Sequence, residues 1–92
     1  MPKYFRDKVA NHYLYFTSQC IVEAMHVHAS DRHLSEYDYA KFFVKADGTS
    51  VMKKRGDLTN SEIISIKKFI KENYLSMYQT WKDFGGSDFY GK

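Results

Sequence analysis

The stretch Thr59–Phe84, TNSEIISIKKFIKENYLSMYQTWKDF, decides the fold. Thr59 and Glu62 stand at the spacing of a capping box, in which the hydroxyl accepts from the Glu62 amide and the carboxylate accepts from the Thr59 amide. Leu58 and Ile63 flank the box as a hydrophobic staple. Beyond it Ile63, Ile66, Ile70, Tyr74, Met77, Trp81 and Phe84 recur at steps of three and four, while Lys67, Lys68, Lys71, Glu72 and Lys82 mostly take the other side. Gly85 and Gly86 supply the backbone freedom that closes a helix C-terminus. Together these signals predict one amphipathic helix whose single apolar stripe faces a core.

Working upstream, Thr49–Lys54 and Tyr39–Ala46 read as strands around Asp47-Gly48, a turn pair suited to a type I′ hairpin. In the earlier strand Ala40, Phe42 and Val44 alternate with Tyr39, Lys41, Phe43 and Lys45. A strict two-residue turn sets Val44 opposite Val51, Phe43 opposite Met52 and Lys41 opposite Lys54. Like charges facing each other are destabilising, so that last pair requires either a bulge or an anion. Met25–Ser30 reads as another strand, with His26, His28 and Ser30 on one face and Val27 and Ala29 on the other. His12–Ser18, rich in β-favouring aromatics, reads as a fourth. Asp31–Asp38 is polar and reads as a loop that brings His33 near the histidine pair.

The expected fold is α+β: an antiparallel sheet of three or four strands packed against one long C-terminal helix, in two layers. Ninety-two residues make a single domain, 1–92, with a basic N-terminal arm at 1–11 and a mobile tail at 85–92. Tyr4 and Phe5 of the arm are expected to dock. A helix of this length runs about 38 Å while a six-residue strand covers about 20 Å. The overhang must be covered by Tyr4 and Phe5, avoided by a bend near Asn73, or met by a second chain.

A single cysteine, Cys20, excludes an internal disulfide framework and fits a reducing compartment, where it serves as a small core residue. No run combines the features of a signal peptide or a membrane span, so a cytoplasmic protein without a membrane partner is expected. The formal charge of +3 implies mild attraction to anions rather than a nucleic-acid-coating protein. Its distribution is uneven, because Lys41–Arg55 carries five cations against the one carboxylate of Asp47.

In order along the chain, Tyr15-Phe16-Thr17-Ser18, Met25-His26-Val27-His28-Ala29, Ala40-Lys41-Phe42 and the late Trp81 resemble the small prokaryotic family known as domain of unknown function 4160. The likeness covers roughly Tyr13 to Phe84, and the chain has Met25 where that family usually has proline. The family has no established activity. The resemblance implies one component of a two-gene module of toxin–antitoxin type, working beside another small protein.

Two functional readings follow from the residues. In the first, Lys41, Lys45, Lys53, Lys54 and Arg55 hold phosphates while Tyr39 and Phe43 stack bases, as sheet-based single-strand binders do. Tyr78, Trp81 and Phe84 at the helix end then form a surface for a small protein partner. No cofactor is needed. In the second, His26 and His28 act as general acid and base with Lys41 stabilising charge, as in a small ribonuclease, or join His33 in a zinc-dependent hydrolase. Two imidazoles at that spacing lie about 7 Å apart at the backbone, which suits two ligands of one metal. Either way, His26, His28, Tyr39, Lys41 and Phe43 should share the sheet face that the helix leaves free.

Overall fold

The structure, a computed structural model, describes residues 3–17, 20–31 and 39–91. The expected loop beyond Asp31, with His33 in it, and the side chain of Cys20 lie outside those residues. Four strands, β1 (Tyr13–Tyr15), β2 (His26–Ser30), β3 (Ala40–Val44) and β4 (Ser50–Lys54), form an antiparallel sheet in sequence order. One helix, α1 (Asn60–Asp83), packs on it, so the architecture is the α+β two-layer arrangement read from the sequence.

Both ends of α1 are set by local chemistry. The Thr59 amide donates to Glu62 Oε1 at 2.9 Å, and the Glu62 amide donates to Thr59 Oγ1 at 3.2 Å. Both halves of the capping box therefore form. At the other end Gly85, at φ 83°, donates to the Lys82 carbonyl, and the Gly86 amide donates to the Trp81 carbonyl. That bond pair is a Schellman closure, which needs a residue free to take positive φ. Thr59→Ala removes one cap acceptor and is expected to cost about 1 kcal/mol, read as a lowered urea midpoint with an unchanged slope.

The inward faces follow from the two periods. Ile66, Ile70, Met77 and Trp81 are buried from α1, and Leu14, Val27, Ala29, Ala40, Phe42 and Val44 meet them from the sheet. Ile63 and Tyr74 are half-buried, whereas Phe84, the last member of the stripe, is 55% exposed. The helix overhang is covered by the chain itself. Tyr4 is buried against Phe16 at a ring distance of 5.0 Å, Phe5 meets Phe69 edge-on, and Phe16 touches both Trp81 and Phe84.

Residues 85–91, expected as a mobile tail, dock on the domain. Phe89 stacks on Tyr78 at 3.9 Å, Tyr90 stacks on Phe43 at 4.5 Å, and the Tyr90 amide donates to the Val44 carbonyl. Two aromatic residues within a short segment supply the burial that a polar tail lacks.

The hairpin register differs from the expected one. Lys45 and Thr49 pair, and the Gly48 amide donates to the Lys45 carbonyl at 2.9 Å, so the loop has three residues rather than two. Gly48 sits at φ 88° while Asp47 is not among the residues with positive φ, which excludes type I′. Asp47 instead accepts from the Thr49 amide and hydroxyl. Val44 therefore faces Ser50, Phe43 faces Val51 and Phe42 faces Met52. The one-residue slip turns Met52 toward the helix, where it packs on the core. A bulge after Met52 then restores Lys41 opposite Lys54.

Candidate functional site

The sheet face opposite α1 carries the residues singled out from the sequence. Strict alternation along β2 and β3 puts His26, His28, Lys41 and Phe43 on that face, and pairing sets His26 beside Phe43 and His28 beside Lys41. Tyr39, just before β3, stacks on His28 with ring centroids 4.0 Å apart and planes 13° apart. Tyr15 of β1 meets the His28 edge, and the His26 and His28 rings stack at 5.1 Å. From the helix end, Trp81 reaches around to within 5.5 Å of the His26 ring.

This packing buries the two histidines. His26 is 0% exposed and His28 is 3% exposed, so the free imidazole pair expected from the sequence is part of a packed aromatic layer. His26 Nδ1 lies 2.9 Å from the Ala24 carbonyl, which can only accept, so Nδ1 carries the proton. The opposite nitrogen, Nε2, is buried with no hydrogen-bond partner among the described residues.

Burial governs how both rings titrate. Loss of hydration pushes the His26 pKa below its ordinary value, with Lys41 adding to the fall and the Ala24 contact and Glu23 opposing it. His28 is lowered further, to about 3, first by desolvation and then by His26, Lys41 and Lys54. An imidazole at that value is uncharged at neutral pH, has no proton to give as a general acid, and is a weak base. Lys41, the expected charge stabiliser, already donates to both carboxylate oxygens of Glu23, at 3.3 and 3.2 Å.

That ion pair also explains how Lys41 tolerates Lys54 opposite. Of the two expected remedies the anion is the one that acts, as Glu23 of the same chain, whereas the bulge restores the like-charge pair instead of separating it. Each ammonium also turns onto a ring, Lys54 over Tyr39 at 4.3 Å and Lys41 over Phe43 at 4.9 Å. At the far edge Lys3 and Lys8 lie over Tyr13, at 4.2 and 5.1 Å. The Tyr13 pairing was not singled out from the sequence; its only sequence signal is a basic arm preceding a strand that begins with an outward tyrosine.

The remaining expected residues disperse. Lys45 and Lys53 are exposed, the latter as the extra residue of the bulge. Arg55 is taken up locally, donating from Nε to the Leu58 carbonyl at 3.0 Å and from Nη2 to Asn60 Oδ1 at 2.9 Å. Of the helix-end trio, Trp81 is fully buried and donates to the Ser87 carbonyl, and Tyr78 is covered by Phe89 and donates to Asp88. Only Phe84 remains open to a partner. Among the described residues no three His, Cys, Asp or Glu side chains gather as a metal site, and His33, the expected third ligand, lies outside them.

The fold and the site together define a small two-layer α+β domain with a ring-and-lysine sheet face. No family model matches the chain, and neither a curated protein nor a solved structure matches it. The family resemblance therefore rests on its short sequence motifs alone. No helix among the described residues is long and apolar enough to cross a membrane.

Proposed function

We propose that the chain is a non-enzymatic binding module that takes single-stranded nucleic acid on the sheet face opposite α1. The observation that carries this reading is repetition: Tyr13, Tyr39 and Phe43, three half-buried rings of that face, each lie beneath a lysine ammonium. A cation over an exposed ring is worth about 0.5–1 kcal/mol, and a base stacked on an aromatic side chain about 1–3 kcal/mol. Exchange is therefore favourable at Tyr13 and Tyr39, with the ammoniums of Lys3, Lys8 and Lys54 leaving their rings for phosphates and a base taking each vacated face, while Lys41 stays paired with Glu23. Tyr39 is prepared for it, since His28 occupies one ring face and Lys54 the other.

The hydrolase alternative needs His26 and His28 exposed and titrating near neutrality, which their burial opposes. A small protein partner, the second contact implied by the toxin–antitoxin-like resemblance, is best served by Phe84, the exposed member of the helix-end trio.

The test is fluorescence anisotropy with labelled single-stranded RNA and DNA decamers. Three phosphate contacts would weaken binding roughly twentyfold between about 50 and 200 mM salt, from a slope of about −0.7 per contact. Lys54→Glu is expected to weaken it about tenfold, by replacing a phosphate contact with repulsion. Absence of binding at the lower salt, or binding indifferent to Lys54→Glu and Tyr39→Ala, would overturn the proposal.

A further inference from the structure

Phe43 is the ring of the open face that lysine exchange does not free. Lys41 lies over it at 4.9 Å and stays with Glu23, while Tyr90 stacks on it with centroids 4.5 Å apart and planes 24° apart. A base can therefore reach Phe43 only by taking the place of Tyr90. What holds Tyr90 there decides whether that exchange is open.

The segment 87–91 divides into an anchor and a cap. In the anchor, the Ser87 carbonyl accepts from Trp81 Nε1 and Ser87 Oγ donates to the Ile21 carbonyl at 2.9 Å. The Asp88 carbonyl accepts from the Met25 amide, its Oδ1 accepts from the Tyr78 hydroxyl, and Phe89 stacks on Tyr78. By Phe89 the chain is already tied to α1 and to the residues that lead into β2. Tyr90 adds one backbone bond, from its amide to the Val44 carbonyl at 2.8 Å in a parallel bridge beside Lys45, and its ring contact with Phe43. The ring is half-buried, and Gly91 beyond it is exposed.

Lifting the cap breaks those two contacts and leaves the anchor whole. Openings of that kind, at a chain end with few buried contacts, lie at the low end of a protein's local stabilities. A base placed on Phe43 restores a ring-on-ring contact of the same kind as the one lost. We infer, on the reading of the open sheet face as a single-strand site, that Tyr90 is a displaceable cap standing where a base stacks on Phe43. With the cap in place the face offers Tyr13 and Tyr39 to bases; with the cap lifted it adds Phe43 and extends the site along β3.

The experiment compares the full chain with three variants by fluorescence anisotropy on a labelled single-stranded RNA decamer at low salt. Tyr90→Ala is expected to tighten binding roughly threefold to tenfold, the equivalent of the ring contact that a base no longer has to displace. Tyr90→Phe keeps a ring on Phe43 and is expected to return the affinity of the parent. The double variant Tyr90→Ala with Phe43→Ala should lose the gain, since the freed ring is gone. Each variant should still melt cooperatively, because the anchor is untouched. In the RNA complex of the parent, nuclear Overhauser contacts between Tyr90 and Phe43 should vanish while those between Phe89 and Tyr78 remain. Binding that Tyr90→Ala leaves unchanged or weakens, a gain that survives in the double variant, or Tyr90–Phe43 contacts that persist in the complex would overturn the cap and leave the single-strand reading standing. Absence of RNA binding in both the parent and Tyr90→Ala would overturn the two together.

Discussion

Replacing Trp81 with alanine is expected to destabilise the domain by about 3–5 kcal/mol, the usual cost of truncating a fully buried tryptophan. The indole joins three parts of the fold. It meets Phe16 edge-on at 5.2 Å next to β1, touches His26 of β2 at 5.5 Å, and donates from Nε1 to the Ser87 carbonyl at 2.6 Å. Gly86 lies against the ring so closely that a methyl there would sit 2.3 Å from Cε2 and Nε1. Alanine at position 81 leaves a cavity among these groups and strands the Ser87 carbonyl. A domain of this size melts about 4–8 °C lower per kcal/mol lost, so a drop of at least about 12 °C is expected by circular dichroism. Gly86→Ala should mimic part of the effect by overpacking, typically about 1–3 kcal/mol. A Trp81→Ala protein melting within a few degrees of the parent would mean that the helix end is not anchored as described.

The second large effect is acid lability above the range in which carboxylates ordinarily titrate. His28 has a folded pKa of about 3 against an ordinary 6.5, so the unfolded chain binds the proton more tightly. The stability that comes from keeping it neutral is fully present above about pH 6.5 and is lost as pH falls toward the folded value. Between pH 7 and pH 5 His28 alone should remove roughly 2 kcal/mol, and His26, lowered for the same reason, adds to the loss. Asp47 and Glu62 are also lowered, by hydrogen bonds from the Thr49 side chain and the Thr59 backbone, but they contribute only at more acid pH. Urea unfolding at pH 7 and pH 5 isolates the histidines. Equal stability at the two values would show that the rings are not buried and neutral.

How far these features can be read from sequence depends on how local their causes are. The helix is legible to the residue because its box at Thr59 and Glu62, its stripe and its glycine closure all lie within or beside it. The strand faces of β2 and β3 are legible for the same reason, and with them the grouping of His26, His28, Lys41 and Phe43. The hairpin register is not. Asp47-Gly48 suits a two-residue turn with two positive φ values and a three-residue loop with one, and the outcome is decided by the bond from Thr49 to Asp47 and by Met52 finding the core. The burial of the histidines is equally non-local, since Tyr15, Tyr39 and Trp81 reach them from three separate stretches. The overhang of α1 presents three solutions to sequence reasoning, and only the positions of Tyr4, Phe16 and Phe89 select among them.

The most direct measurement of the central proposal is a two-dimensional NMR titration of the full chain with a single-stranded RNA octamer at low salt. Binding on the ring-and-lysine face requires saturable shifts at Tyr13, Tyr39, Phe43 and Lys54, with loss of the response in Lys54→Glu. No response, or one confined to the outer side of α1, would contradict it.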